Sequence, residues 1–283
     1  MEFNDKKNKL FISLSFIACV VLIIFILFLL LKPTNTNNNN NNNNTQNETN
    51  AKFDYEEYLN NNDAKTIIND YAKKNNIDVN EYPEKLIELL DNEKKSADYV
   101  LNYPTKKFTE ANVELTQEEK ETEEMPLFIQ WDKRWGYKKY GNDAAGLTAC
   151  GPTALSMVAF HLTGNKDLTP DKIMDFAVKN GYCIDGVGSS WELISKGSKK
   201  LGLNAKELPL VEKTVIKNLE KGNPVICVVG PGHFTKRGHF IVMYGYKDGK
   251  IMVKDPNSYK NSETLYEFSE IKDEIKNLWA ISK

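Results

Sequence analysis

Residues 10–31, LFISLSFIACVVLIIFILFLLL, run for 22 positions without a charged side chain. As a helix, such a stretch crosses a hydrocarbon core about 30 Å thick. It predicts a single transmembrane helix and confines any water-soluble domain to the residues after it. A cleaved signal peptide would carry a shorter apolar region followed by small residues at a cleavage site, and neither is present. Cys19 follows Phe16, Ile17 and Ala18 as a lipidated cysteine would, but the apolar run continues for twelve residues beyond it, against processing there. Lys6, Lys7 and Lys9 precede the run, and only Lys32 follows closely. The positive-inside tendency then keeps residues 1–9 cytoplasmic and places everything from residue 33 onward outside the cell membrane.

Residues 32–51 include eight consecutive asparagines at 37–44 and offer no apolar surface to bury, so they read as a disordered tether. About 19 residues of flexible chain span roughly 25 Å on average, enough to hold a domain clear of the lipid headgroups. Residues 52–124 are charged and poor in glycine, with apolar side chains at helical spacing. Ile67, Ile68 and Tyr71 form one stripe. Leu86, Ile87, Leu89 and Leu90 form another, opening at Pro83, and Tyr99, Val100 and Leu101 form a third, closing before Pro104. Three short helices are predicted, and a cap on the following domain, a pro-segment-like cover and a stalk all fit them. The acidic stretch TEANVELTQEEKETEE at 109–124 reads as a solvated connection, which makes 52–124 a helical, charged linker region.

Residues 125–283, about 160 in all, are ample for one buried core. Helices are predicted at 152–163, 170–180, 190–201 and 212–221. Strands are predicted in PVICVVG, HFIVMYGY, KIMVKD, ETLYEF and LWAI, with turn signals between them. Helices grouped first and antiparallel strands second give an α+β class, with a cleft between the two parts.

Cys150 lies in LTACGPTALSMVAFHLTG, where a Gly-Pro turn opens an amphipathic run. A thiol in the first turn of a helix faces unpaired backbone N–H groups and the positive end of the helix dipole, both of which favour the thiolate. Pro152 is tolerated there because its missing N–H would have had no partner. A buried structural cysteine near a helix start remains the alternative for any lone cysteine. A nucleophile needs a base, and the chain has three histidines, at 161, 233 and 239. His161 follows on the same predicted helix, about 16 Å along its axis, and cannot reach the sulfur. His233 sits in a glycine-rich loop, GPGHFTKRGHF, and is the reserve candidate. His239 opens the strand GHFIVMYGY, where an imidazole is held rigidly while facing a cleft. Pairing that strand with KIMVKD about the KDGK turn sets residue 239 opposite roughly residue 257. Asp255 and Asn257 both fall within reach of His239, and an Asp is the usual orienting partner of such an imidazole. An ordinary Asp-Pro turn is the alternative for Asp255.

The segments PLFIQWDKRWGY, ACGPTALSMVAFHLTG, GHFIVMYGY and VKDPNS, in that order, resemble the C39-like peptidases, relatives of the papain-fold cysteine proteases, over roughly residues 125–283. The resemblance implies a papain-like fold whose helical part carries the cysteine and whose antiparallel sheet carries the histidine and aspartate. It implies Cys150 as nucleophile, His239 as general base, Asp255 as orienting carboxylate and Gln130 as an amide donor of the oxyanion hole. Ala149 stands before the nucleophile where many members carry glycine, which removes some backbone freedom beside the oxyanion site. The transporter and nucleotide-binding domains fused to the bacteriocin-exporting members have no counterpart in the sequence, so cleavage of double-glycine leaders is not implied.

These readings together describe a single-pass membrane protein with an extracytoplasmic cysteine peptidase domain acting on a peptide or protein substrate. The same constellation also serves a cell-wall peptide hydrolase or an acyl transferase, and a non-catalytic surface-binding domain that kept the fold is a different class of reading. No metal or organic cofactor is expected: no CxxC or Cys/His spacing suggests zinc. A net charge of −2 gives no reason to expect nucleic acid. Trp131, Trp135 and Tyr137 read as core, and Trp191 as cleft lining or buried anchor. Outside the membrane a Cys183–Cys227 disulfide is chemically open, although Cys227 in its apolar strand reads as a buried thiol.

Overall fold

A computed structural model describes residues 55–283. The cytoplasmic tail at 1–9, the membrane span at 10–31 and the tether at 32–51 lie outside the described residues. Among the described residues no helix is long and apolar enough to cross a membrane.

The chain after the tether begins with four helices: α1 (Tyr55–Asn61), α2 (Ala64–Asn75), α3 (Glu84–Asn92) and α4 (Ala97–Lys106). Asp63 caps α2, its side chain accepting from the Thr66 N–H, and Asn76 ends it in the left-handed conformation. Pro83 stands at the start of α3, as the sequence predicts. The third stripe does not close before Pro104. That proline lies inside α4, which runs on to Lys106 because Tyr103 O still finds the Lys107 N–H.

These helices are neither stalk nor linker. Ile67, Ile68, Leu86, Leu90, Tyr99 and Val100 pack in one apolar cluster with Ile129, Trp131, Tyr137 and Ala144 from the following segment. Burial of each such side chain is worth roughly 1.5–3 kcal/mol. Asp54–Lys283 accordingly form one compact unit, with no structural break near residue 124. The acidic stretch is likewise laid against the domain: Ala111, Val113 and Leu115 pack on the main core. A short helix α5 (Gln117–Glu121) opens with a capping box between Thr116 and Glu119. Arg134 then bonds Glu119 through both terminal nitrogens, at 2.8 and 2.9 Å.

A two-residue ribbon, β1 (Lys139–Tyr140) with β2 (Asp143–Ala144), leads into the short helix α6 (Ala145–Thr148) and then α7 (Cys150–Thr163). Gly164 ends α7 with positive φ. After α8 (Pro170–Lys179) comes a second ribbon, β3 (Cys183–Ile184) with β4 (Gly188–Ser189). The helix predicted at 190–201 starts late, as a π-helical turn at Leu193–Gly197 running into α9 (Ser198–Lys200). The remaining elements are β5 (Asn204–Glu207), α10 (Glu212–Leu219), β6 (Val225–Val229), β7 (His239–Lys247), β8 (Lys250–Lys254), α11 (Tyr259–Glu263), β9 (Leu265–Tyr266), α12 (Phe268–Ile271) and β10 (Ile275–Ser282). The strand predicted in ETLYEF shrinks to Leu265–Tyr266, because Glu267 and Glu270 form a capping box that starts α12.

Six strands form one antiparallel sheet in the order β5-β10-β6-β7-β8-β9. Strand β6 is buried along its whole length. Its Ile226 and Val228 join the cluster around α7, while Val225, Cys227 and Val229 join a second cluster with α10 and α12. A central strand covered on both faces reads as a continuous apolar run for this reason. An antiparallel sheet with α7 packed against β7 on one face and α10 and α12 on the other gives the α+β class.

Candidate active site

Cys150 is the first residue of α7. Gly151 beside it allows close packing: a Cβ there would lie 2.9 Å from Ser189 and 3.4 Å from Phe240. Gly188, at φ +112°, gives the second ribbon the same access, since its Cβ would meet Thr148 O at 2.8 Å. These two glycines hold the ribbon and β7 tight against the start of α7.

His239 stands at the first position of β7 and Asp255 one residue past β8. The turn between the strands uses Asp248 at φ 54° and Gly249 at φ 80°, the left-handed pair that a two-residue hairpin loop needs. The ladder pairs Lys247 with Lys250 and, past a bulge, Val242 with Lys254. Beyond Lys254 the chain leaves the ladder, with Asp255 bridging Ser258, so the predicted pairing of 239 with roughly 257 is not formed although Asp255 still reaches His239. His239 Nε2 meets Asp255 Oδ1 at 2.7 Å, with the two side chains 7% and 0% exposed. Asp255 is itself held: Oδ1 also accepts from Asn257 N–H at 2.8 Å and Oδ2 from Asn261 Nδ2 at 2.7 Å.

The opposite edge of the His239 ring is turned to the Cys150 sulfur, close enough for the two groups to shift each other's proton affinity. With Nε2 turned to Asp255, Nδ1 is the nitrogen left for the thiol. Burial alone would raise the Cys150 thiol, but the bond to His239, its charge and the backbone N–H groups of Phe240 and Gly151 outweigh it and bring the thiol below its usual value. Burial alone would likewise lower His239. Asp255 and Cys150 override it and push the imidazole up to about 10. Both shifts favour a thiolate–imidazolium pair. The other two described cysteines go the opposite way, since burial raises Cys183 and Cys227. Cys150, Cys183 and Cys227 are all free thiols.

Gln130 is buried and lines the same cleft as Cys150 and His239. Its backbone N–H bonds Pro256 O at 2.7 Å, tying it to the loop after Asp255. Its Nε2 donates to Gly146 O at 2.7 Å, and its Oε1 has no partner. One amide hydrogen is thus committed to Gly146 and the second is left for the cleft. Gly146 admits no side chain, because a Cβ would lie 2.4 Å from the Tyr99 ring of α4.

The other histidines stand apart. His161 sits in the last turn of α7, partly buried. His233 bonds Glu274 through its Nδ1, and its backbone N–H reaches Glu274 Oε2 at 2.9 Å. Trp131, Trp135 and Tyr137 are core. Trp191 is 45% exposed, lines the cleft and leans edge-on against Trp279, so of its two predicted readings the lining one applies. Among the described residues no group of three His, Cys, Asp or Glu side chains is gathered as metal ligands would be.

Two features of the site went unread in the sequence. Asn261 is positioned by Ser258, whose hydroxyl caps α11 by accepting from the Asn261 N–H. The signal was available as a serine three residues before an asparagine, at the end of the run Asp-Pro-Asn-Ser. The second is the contribution of α3, whose Lys85, Glu88, Leu89 and Asn92 line a cleft of about 500 Å³ together with Cys150 and His239. Its apolar stripe announced a helix but not what its polar face would meet.

Comparison with known proteins finds a match between residues 122–283 and the Peptidase_C39 like family. No curated protein matches the chain. Among solved structures, the chain is similar to the peptidase domain of Streptococcus ComA, a bi-functional ABC transporter involved in a quorum-sensing pathway. That match has 22% identity and TM-score 0.37, over 47% of this chain and 88% of that one. It is also similar to a putative C39-like peptidase from Bacillus anthracis, with 14% identity and TM-score 0.39, over 57% of this chain and 96% of that one.

Proposed function

The chain belongs to the Peptidase_C39 like family, and from that premise we propose that it is a cysteine peptidase that cleaves peptide bonds through Cys150, His239, Asp255 and Gln130. One observation carries the reading: a buried imidazole bonded on one side to Asp255 at 2.7 Å and turned on the other to a thiol at the start of a helix. In this reading the Cys150 thiolate attacks the scissile carbonyl carbon, and the negative charge moves to its oxygen. The Gln130 amide and the Cys150 backbone N–H receive that oxyanion. His239, protonated, gives its proton to the departing amine nitrogen as the C–N bond breaks, leaving a thioester on Cys150. Water then attacks the thioester carbonyl, His239 takes a proton from it, and the thiolate departs. Asp255 keeps the ring in the tautomer and orientation that both transfers require.

We place the enzyme at the cell membrane as a single-pass protein with its catalytic domain outside, supported by the apolar run at 10–31 and the lysines before it. The test is hydrolysis of a peptide library by the full chain, compared with Cys150→Ala and His239→Ala. Loss of cleavage in both variants supports the reading, and cleavage unchanged in either removes it. For topology, a membrane-impermeant thiol reagent applied to intact cells expressing a single-cysteine variant beyond residue 33 should label it. Labelling confined to permeabilised cells would reverse the orientation.

A further inference from the structure

Helix α3 lies upstream of residues 122–283, where the family match falls, yet it forms one wall of the cleft. Its Glu88 meets Arg237 across the cleft mouth through paired contacts of 3.1 and 3.4 Å. The residue just past the helix, Glu93, accepts the Tyr259 N–H at 3.0 Å, four positions beyond Asp255. The segment thus touches the loop before His239 and the loop after Asp255. Leaving out His239, whose charge Asp255 and Cys150 answer, the charged side chains lining the cleft are Lys85, Lys236 and Arg237 against Glu88 alone. Lys85 leans toward Asp143 at 3.7 Å, outside the lining. Lys236 is exposed and has no ion-pair partner among the described residues. Arg237 stands two residues before His239, so their Cα atoms are at most about 7 Å apart. Its side chain remains 54% exposed beside Glu88. The far wall is apolar, with Trp191 and the 72% exposed Val187.

Resting on the peptidase reading above, we propose that this cleft selects peptides carrying a carboxylate close to the scissile bond. Lys236 and Arg237 are its specificity residues, and Glu88 is an internal carboxylate that competes with the substrate for Arg237. A guanidinium fork already engaged by one carboxylate in paired contacts has the geometry to take another. An incoming acidic side chain gains Lys236 as well, which Glu88 does not reach. A basic side chain would meet two cations and is disfavoured by like-charge contact. Helix α3 is therefore part of the substrate site and not a removable cover.

The test uses the full chain carrying Cys150→Ser, which binds without turnover. Matched peptides with Glu, Gln or Lys at positions flanking the scissile bond are titrated while Trp fluorescence is followed, since Trp191 lines the cleft. The Glu peptide should bind more tightly than the Gln peptide by about threefold, and the Lys peptide least. Glu88→Gln should widen the Glu-over-Gln preference, while Lys236→Gln with Arg237→Gln should erase it. Added salt should reduce the preference. Equal binding of the three peptides, a preference unmoved by either set of variants, or no binding at all overturns the proposal. The peptidase reading fails separately, if the chain with Cys150 intact cleaves none of the peptides that the Cys150→Ser chain binds. Cleavage without charge preference overturns only the selectivity.

Discussion

The domain holds two histidine–carboxylate pairs, and they are built for different ends. His239 and Asp255 are 7% and 0% exposed, and the ring has a thiol on its other side. His233 and Glu274 are 50% and 9% exposed, and that ring turns to Phe234 and Tyr266 instead of a cysteine. Glu274 also takes the His233 backbone N–H, and Gly232 leaves room for it, since a Cβ there would overlap its carboxylate. The second pair is a brace for the loop that runs to His239. A bond between imidazole and carboxylate is common to both, so it does not make a catalytic pair. What separates them is exclusion of water and a nucleophile within reach.

The sharpest way to break this comparison is to remove the first pair's partners. Cys150→Ala should abolish peptide cleavage, and His239→Ala should lower kcat by about 10⁴–10⁶, whereas His233→Ala should stay within about threefold, all read in the same hydrolysis assay. Asp255→Ala should cost on the order of 10⁴ in kcat through loss of ring orientation. Glu274→Gln should change the thermal midpoint more than it changes turnover. Gln130→Ala should lower kcat about 10²–10³-fold with KM little changed, as loss of one oxyanion donor does.

A smaller effect sharpens the electrostatic side. The Cys150 thiol is lowered and Cys183 is raised, so iodoacetamide at neutral pH should modify Cys150 roughly tenfold faster than Cys183, measured by mass spectrometry of the labelled peptides. His239→Ala should remove most of that advantage. The pH profile of kcat/KM should be a bell. Its acid limb marks protonation of the Cys150 thiolate and lies below the ordinary thiol value. Its alkaline limb marks loss of the His239 proton near 10, after which no acid remains for the leaving amine. An alkaline limb near 6.5, the value of a free imidazole, would sink the ion-pair description.

The site was largely legible because its parts are local. His239 and Asp255 lie 16 residues apart on one hairpin whose Asp-Gly turn fixes the register. A β-bulge shifts the register by one residue and the ladder ends at Val242 and Lys254, yet Asp255 still reaches His239. Cys150 was marked by the small residues and proline that open α7. Legibility ended where contacts are distant and unpatterned. Strand β5, Asn204–Glu207, is a polar edge strand paired only with β10, and no alternation announced it. The placement of β10 between β5 and β6 depends on pairing across some 50 to 75 residues of chain, which no local propensity encodes. The upstream stripes revealed helices, but their partners Ile129, Trp131 and Tyr137 lie in a loop segment with no period to match.

Gly146 carries a consequence of another kind. Its carbonyl holds the Gln130 amide, and its missing side chain is the space filled by the Tyr99 ring. The two positions are therefore epistatic: no side chain enters at 146 while a tyrosine stands at 99, and shrinking residue 99 alone leaves a cavity beneath the loop that carries Gly146. A change at either position therefore calls for a matching change at the other, which ties helix α4 to the loop that carries Gly146.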